Sequence, residues 1–151
     1  MRTHDRALNG REFKMDFPCL TNLDPRQVSA LGLAYIGDAV YEVYVRSHVL
    51  KRGDTVVNKL HKASIKYVSA PSQSRIIHGI LPNLTEEEVA VYKRGRNAHS
   101  NTMAKNADVV EYRQATGFET LIGYLYVLGN HQRLGEVISL ALKFIDNEKE
   151  I

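Results

Sequence analysis

The 151 residues suffice for one domain with its own hydrophobic core, and a composition of 44% hydrophobic and 25% charged residues excludes a disordered or fibrous chain. A single cysteine, Cys19, excludes an internal disulfide and a multi-cysteine zinc site, and points to a reducing, cytoplasmic setting. The net charge of +3 is too small to name a partner, so the placement of the charges matters more than their sum.

The first stretch, MRTHDRALNGREFKMDF, mixes both signs of charge and lacks an apolar run, so it is no secretory signal. Residues 1–20 are read as a disordered N-terminal extension, with Met15 as an alternative start, and residues 21–151 as the folded domain. Asp24 and Pro25 suit an N-cap and first helical position. They predict a helix that bends near Gly32 and runs to about Lys51. RGDT interrupts it, and Thr55 or Asn58 opens NKLHKASIKYVSA, where Leu60, Ile65 and Val68 keep helical spacing. Pro71 begins PSQSRIIHGI, which Gly79 and Pro82 end. Thr85 and Glu88 form the capping box of a fourth helix reaching about Arg94. RGRNAHSNTMAK reads as a polar loop. Asn106 then caps ADVVEYRQATGFETLIGYLYVL, which Gly129 terminates, and the amphipathic HQRLGEVISLALKFI follows. Period-two alternation is sustained nowhere, so an all-α fold is expected. Val28–Val45 is long enough for a membrane span, but Asp38, Glu42 and two glycines oppose one.

Two of these helices pose the same electrostatic problem. In LAYIGDAVYEVYV, Asp38 shares its wheel face with Leu31, Ala34, Tyr35, Tyr41, Glu42 and Val45, while Leu33, Ile36, Val40 and Val43 cover the other side. A helix apolar all round is a buried one, which puts Asp38 inside the domain or at a subunit interface. In QATGFETLIGYLYVLG, Glu119 is the lone charge beside Tyr112, Ala115, Gly123 and Tyr126. If the two helices pack together, their carboxylates meet. They then repel unless one holds a proton or a cation intervenes. Hard oxygen donors on facing helices suit Mg²⁺ or Mn²⁺. The alternative is that each acid pairs with Arg46, His48, Arg113 or a tyrosine hydroxyl. Asp108 lies roughly 16 Å along the helix from Glu119, too far to share a metal, and compensates the helix dipole instead.

Between Tyr92 and Lys105 the chain holds Lys93, Arg94, Arg96, His99 and Lys105 with no acid. Asn97, Ser100, Asn101 and Thr102 add neutral hydrogen-bonding groups, and Gly95 would let backbone approach a ligand. Such a stretch is either a solvated surface loop or a phosphate-binding one. Few aromatics accompany it, which disfavours single-strand stacking and suits a duplex held by its backbone and 2′-hydroxyls. A phosphate-binding loop leading into the helix of Glu119, with Asp38 from another helix, suits metal-assisted attack on a phosphodiester.

These residues carry a family resemblance. YIGDAVYE resembles the signature helix of the ribonuclease III catalytic domain, and FETLIGYLY its second acidic segment. KRGRNAHS and KNADVVEYRQATGFE are closer still to the short Mini-III members, and the likeness covers residues 28–145. It implies an all-helical homodimer and Mg²⁺-dependent (or Mn²⁺-dependent) endonucleolytic cleavage of double-stranded RNA, leaving 5′-phosphates and 3′-hydroxyls. The Mini-III type implies maturation of large-subunit ribosomal RNA, without the separate RNA-binding domain of larger relatives. Asp38 matches the signature aspartate and Glu119 the late glutamate, both metal-associated and catalytic in the family. Lys93, Arg94, Arg96, Asn97 and Lys105 are the expected RNA contacts, and Tyr35 matches an aromatic that reaches into the partner subunit. Tyr41, Tyr44 and Tyr126 are further candidates for that interface. Two positions depart: larger members carry acids where this chain has Ala34 and Thr116. The fewer carboxylates leave room for a second expectation, a non-catalytic RNA-binding or ribosome-associated protein on the same scaffold. Glu42, water or RNA oxygens are left to complete any metal coordination.

Overall fold

The computed structural model describes residues 23–53, 55–98 and 108–148. Among these the chain is all-helical, as the apolar spacing predicts. The helices are α1 (Ala30–Leu50), α2 (Val57–Val68), α3 (Ala70–Ile80), α4 (Glu86–Arg96), α5 (Asp108–Leu128) and α6 (His131–Asp146), with a 3-10 turn at Leu81–Asn83.

Local chemistry explains where these boundaries differ from the sequence reading. Asp24 does not cap α1; its Oδ1 accepts the Arg26 N–H at 2.9 Å and its carbonyl the Gln27 N–H at 2.9 Å, which closes a turn. Ser29 is the cap, its Oγ accepting the Gly32 N–H at 3.0 Å. Neither Thr55 nor Asn58 opens α2, which starts at Val57 without a side-chain cap. Ser69 caps α3 and Pro71 falls in its first turn, where a missing N–H costs nothing. The Thr85–Glu88 capping box is made in both directions, at 2.9 and 3.1 Å. The helix it starts runs on to Arg96, past the predicted Arg94. Gly129, at φ +80, ends α5, and Asn130 caps α6. Asn106 and the N-terminal extension lie outside the described residues.

Helix α5 is the central element, with α1, α3, α4 and α6 all packed against it. That placement explains its sequence: every residue from Ala115 to Leu125 except Glu119 is buried. Phe118, Leu121 and Ile122 meet Leu33, Tyr41, Val45, Ile76, Ile77, Leu134 and Ile138 in one core. Each such fully buried large side chain contributes roughly 1.5–3 kcal/mol. Tyr41 sets its ring edge-on to Phe118, with centroids 5.0 Å apart, and donates its hydroxyl to the Tyr67 carbonyl at 3.0 Å. Tyr41 is therefore a core residue and leaves the list of interface tyrosines. Two polar locks tie the helices together at the rim. Asp146 accepts from Tyr67 and Arg52, both at 2.5 Å, and lies 2.8 Å from His48, joining α6 to α1 and α2. Buried Glu88 takes both arms of Arg133 at 2.8 Å, joining α4 to α6. No helix among the described residues is long and apolar enough to cross a membrane.

Glycines set the spacing around α5. A Cβ on Gly37 would lie 1.9 Å from the Glu119 carbonyl oxygen, and one on Gly123 would lie 1.9 Å from that of Leu33. Helices α1 and α5 thus touch backbone to backbone. On the α4 side, Gly95 fits against Thr120 and Gly117 against the Tyr92 ring in the same way.

Candidate active site

The Gly37–Gly123 crossing decides where the two acids go. Asp38 directly follows Gly37, and Glu119 is the residue whose backbone Gly37 touches. With no side chain at the crossing to hold the helices apart, the two carboxylates come close enough to repel. The pKa of Glu119 is pushed up to about 7, first by burial and then by Asp38, with a hydrogen bond from Gln73 working in the opposite direction. The pKa of Asp38 is raised by partial burial and then by Glu42.

Asp38 itself is exposed, contrary to the buried position the helical wheel implies. Only one side of α1 faces the core, through Leu33, Ala34, Gly37, Tyr41, Val45 and Val49. The other side is apolar as well but open to solvent: Tyr35 is 85% exposed, Val43 65%, and Leu31 and Leu50 are also exposed. Asp38 stands at the edge between the two. Tyr35, three residues before it, projects from the same side of the helix. Tyr44 is less exposed, and Tyr126 is half-buried.

Two of the cations named for the ion-pair alternative are engaged elsewhere. Arg46 pairs with Glu42 at 3.0 Å, and His48 lies against Asp146. Among the described residues, no cationic side chain is one of the groups that perturb Asp38 or Glu119. Nor is there a cluster of three or more His, Cys, Asp or Glu among the described residues. Ala34 is packed inward, and Thr116 donates its hydroxyl to the Tyr112 carbonyl at 3.0 Å, so neither adds an oxygen ligand to the pair. Asp108 falls in the first turn of α5, where an acid opposes the helix dipole.

The basic stretch is not a loop at its start. Lys93, Arg94 and Arg96 form the last turn of α4, and Asn97 is its C-cap. Gly95 is buried against α5 and faces no ligand; its role is close packing. Arg94 donates to the Val28 carbonyl at 2.7 Å, bracing the approach to α1. Arg96 lies 5.7 Å over the Tyr92 ring and donates to Asn97 at 3.2 Å. Together with Val110, Arg113 and Gln114, Arg96 and Asn97 line a pocket of about 180 Å³ between α4 and α5. Lys105 and His99 lie outside the described residues. Because Gly95 meets Thr120 while Gly37 meets Glu119, the basic turn and the acid pair sit at one level of α5.

Sequence reasoning missed Gln73. It is 1% exposed in the first turn of α3, and its Oε1 is buried with no hydrogen-bond partner among the described residues. PSQSR looks like a surface segment, and nothing in its composition marks the glutamine as buried.

The carboxylate pair carries a pH prediction. Glu119 binds its proton more tightly when folded than when unfolded, so between about pH 4.5 and 7 the folded state holds more protons. Stability should then fall as pH rises through that window, by an order of 1–3 kcal/mol. Glu88 and Asp146 have lowered pKa values, from the Arg133 hydrogen bond in the first case and from Tyr67 and His48 against burial in the second, so their contribution is lost only at more acidic pH. Denaturant midpoints of the metal-free protein at pH 5 and 7.5 check this: the parent is more stable at pH 5, and Glu119→Gln flattens the difference.

Comparison with known proteins agrees with the geometry. The ribonuclease III domain model matches residues 31–130. A Mini-ribonuclease 3 from Clostridium tetani is 50% identical over 131 residues, covering 86% of this chain and 87% of its own. Those of Brevibacillus brevis and Enterococcus faecalis are 46% and 47% identical, covering 83% and 84% of this chain and 93% and 98% of theirs. The crystal structure of a Fusobacterium nucleatum protein matches with a TM-score of 0.69 at 33% identity, over 78% of this chain and 94% of that one. On the matched helices and on these relatives, the chain belongs to the ribonuclease III domain family, as an endoribonuclease of the Mini-ribonuclease 3 type.

Proposed function

We propose that this protein is a divalent-metal-dependent endoribonuclease that hydrolyses phosphodiesters of double-stranded RNA, acting as a cytoplasmic homodimer on precursors of large-subunit ribosomal RNA. One observation carries the reading: Asp38 lies close enough to Glu119 to raise its pKa, and among the described residues no cation is one of the groups that perturb either acid. An all-oxygen donor pair suits Mg²⁺ or Mn²⁺. Gln73, which perturbs Glu119 and whose buried Oε1 has no partner among the described residues, suits the hydration shell of a hard cation. Asp38 and Glu119 would hold the ion, leaving most positions to water and RNA oxygens. When bound, such an ion supplies a nucleophile from water at neutral pH and stabilises charge at phosphorus. The water oxygen adds to phosphorus and the P–O3′ bond breaks, leaving a 3′-hydroxyl and a 5′-phosphate.

Duplex rather than single-stranded substrate is supported by Tyr92. It is buried beneath Arg96 and against Gly117, so it is withheld from base stacking. Lys93, Arg96, Asn97 and, outside the described residues, Lys105 would contact phosphates and sugars. Lys93→Ala and Arg96→Ala should each weaken binding across many duplex sequences and lower the salt slope by about 1. Arg94→Ala should also loosen the Val28 contact. Filter binding at several salt concentrations checks these, and an unchanged slope would remove the basic turn from the RNA interface.

The homodimer is supported by the open apolar side of α1, continued on α2 by exposed Val57 and Ile65 and by Val56 before it. Tyr35 on that surface would place a second subunit against Asp38. Purified protein incubated with duplex RNA, with and without Mg²⁺, tests the proposed activity. Cleavage into 5′-phosphorylated products only with Mg²⁺ supports it; duplex binding with no cleavage in either condition would favour the non-catalytic scaffold.

A further inference from the structure

We propose that Gln73 is a positioning residue, whose buried amide is tethered to the end of α2 and orients the Glu119 carboxylate beside Asp38. The inference rests on the cation-binding reading of that pair and extends it to a third helix.

The start of α3 is built to hold this side chain. Ser69 caps the helix through the Ser72 N–H, Pro71 fixes its first turn, and the Gln73 N–H bonds the Ser69 carbonyl at 2.9 Å. The side chain folds back so that Nε2 donates to the Val68 carbonyl at 3.1 Å. That bond decides which end of the amide is nitrogen, because the flipped amide would set Oε1 against another acceptor. Nε2 keeps one further hydrogen, and Gln73 lies close enough to the Glu119 carboxylate to lower its pKa against the effects of burial and Asp38. The amide would thus bridge the last residue of α2 to the half-buried acid of α5. Gln73 is also costly as mere filling. Its Oε1 is buried without a partner among the described residues, and a buried acceptor left unpaired is destabilising. A leucine or methionine would fill the volume without that cost. A group that orients an acid for a hydrated ion has use for both ends of the amide, one toward the carboxylate and one toward water.

Calorimetric titration of the full chain with Mn²⁺ alone, and the Mg²⁺ dependence of duplex RNA cleavage, test this with Gln73→Met and Gln73→Asn. Methionine keeps the length and loses the hydrogen bonds. Asparagine keeps the amide but is one methylene too short to span Val68 and Glu119 together. Both should bind Mn²⁺ about tenfold more weakly, as loss of a ligand's outer hydrogen-bond partner does. The Mg²⁺ needed for half-maximal cleavage should rise by the same factor. Saturating Mg²⁺ should restore most of the parental kcat, and metal-free RNA affinity should not change. Unaltered Mn²⁺ affinity in either folded variant overturns the proposal, and so does a loss of kcat that excess Mg²⁺ does not restore. If the methionine variant does not fold, the asparagine variant decides alone. A parent that binds no Mn²⁺ overturns the cation reading and Gln73's role together. A parent that binds it, with Gln73 variants unchanged, overturns only the latter.

Discussion

Asp38→Asn should abolish the proposed Mg²⁺-dependent cleavage of duplex RNA while making the metal-free protein more stable. Both effects have one cause. The ionised carboxylates of Asp38 and Glu119 oppose each other across a glycine crossing, and burial penalises the charge on Glu119 as well. Removing one charge relieves the repulsion, by up to about 1 kcal/mol once the exposure of Asp38 is discounted. The same removal would take one of the two oxygen donors from the proposed cation site. Losing several kcal/mol of transition-state stabilisation lowers the rate by about a thousandfold or more. Glu119→Gln should show the same pair of effects, with the larger gain in stability because Glu119 is the more buried acid. Melting curves in chelator and product release in Mg²⁺ check the two halves separately. A variant that cleaves like the parent removes Asp38 from the site.

Gly37→Ala should be the most damaging single-methyl change in α1. Its Cβ would sit 1.9 Å from the Glu119 carbonyl oxygen and 2.7 Å from the Gly123 nitrogen. Both are backbone atoms of a packed helix, so no side chain can rotate away and α1 must lift from α5. Overpacking of this kind costs about 3 kcal/mol or more. The displaced helix also carries Asp38 away from Glu119, so activity should fall even in protein that still folds. Gly135→Ala is the internal control. A Cβ there meets nothing within 4 Å, and α6 is helical at that point, so it should stabilise by about 0.5–1 kcal/mol. Urea midpoints of both variants, moving in opposite directions, check the crossing.

The helices were legible because each carries its own spacing of apolar residues and local stop signals such as Thr85–Glu88 and Gly129. The meeting of Asp38 with Glu119 was legible for a different reason: two lone acids on apolar helices raise the same problem and share one answer. The exposure of Asp38 was not legible. A wheel counts apolar residues and cannot distinguish a face that meets α5, with Tyr41 on it, from one left open, with Tyr35 on it. Gly95 misled because a glycine among basic and polar residues has the composition of a loop. Its reason for being there is Thr120, twenty-five residues away in sequence. Gln73 stayed hidden because its partners, Val68 and Glu119, belong to other helices. Long-range packing, not local pattern, gives those three residues their roles.

A double-mutant cycle on Mn²⁺ affinity is the most direct measurement of whether Asp38 and Glu119 form one cation site. The affinities of the parent, Asp38→Asn, Glu119→Gln and the double variant are compared by calorimetry. One shared site predicts that each single change removes most of the binding and the double variant loses little more, a large departure from additivity. Additive losses, or Mn²⁺ binding that neither change disturbs, would contradict it.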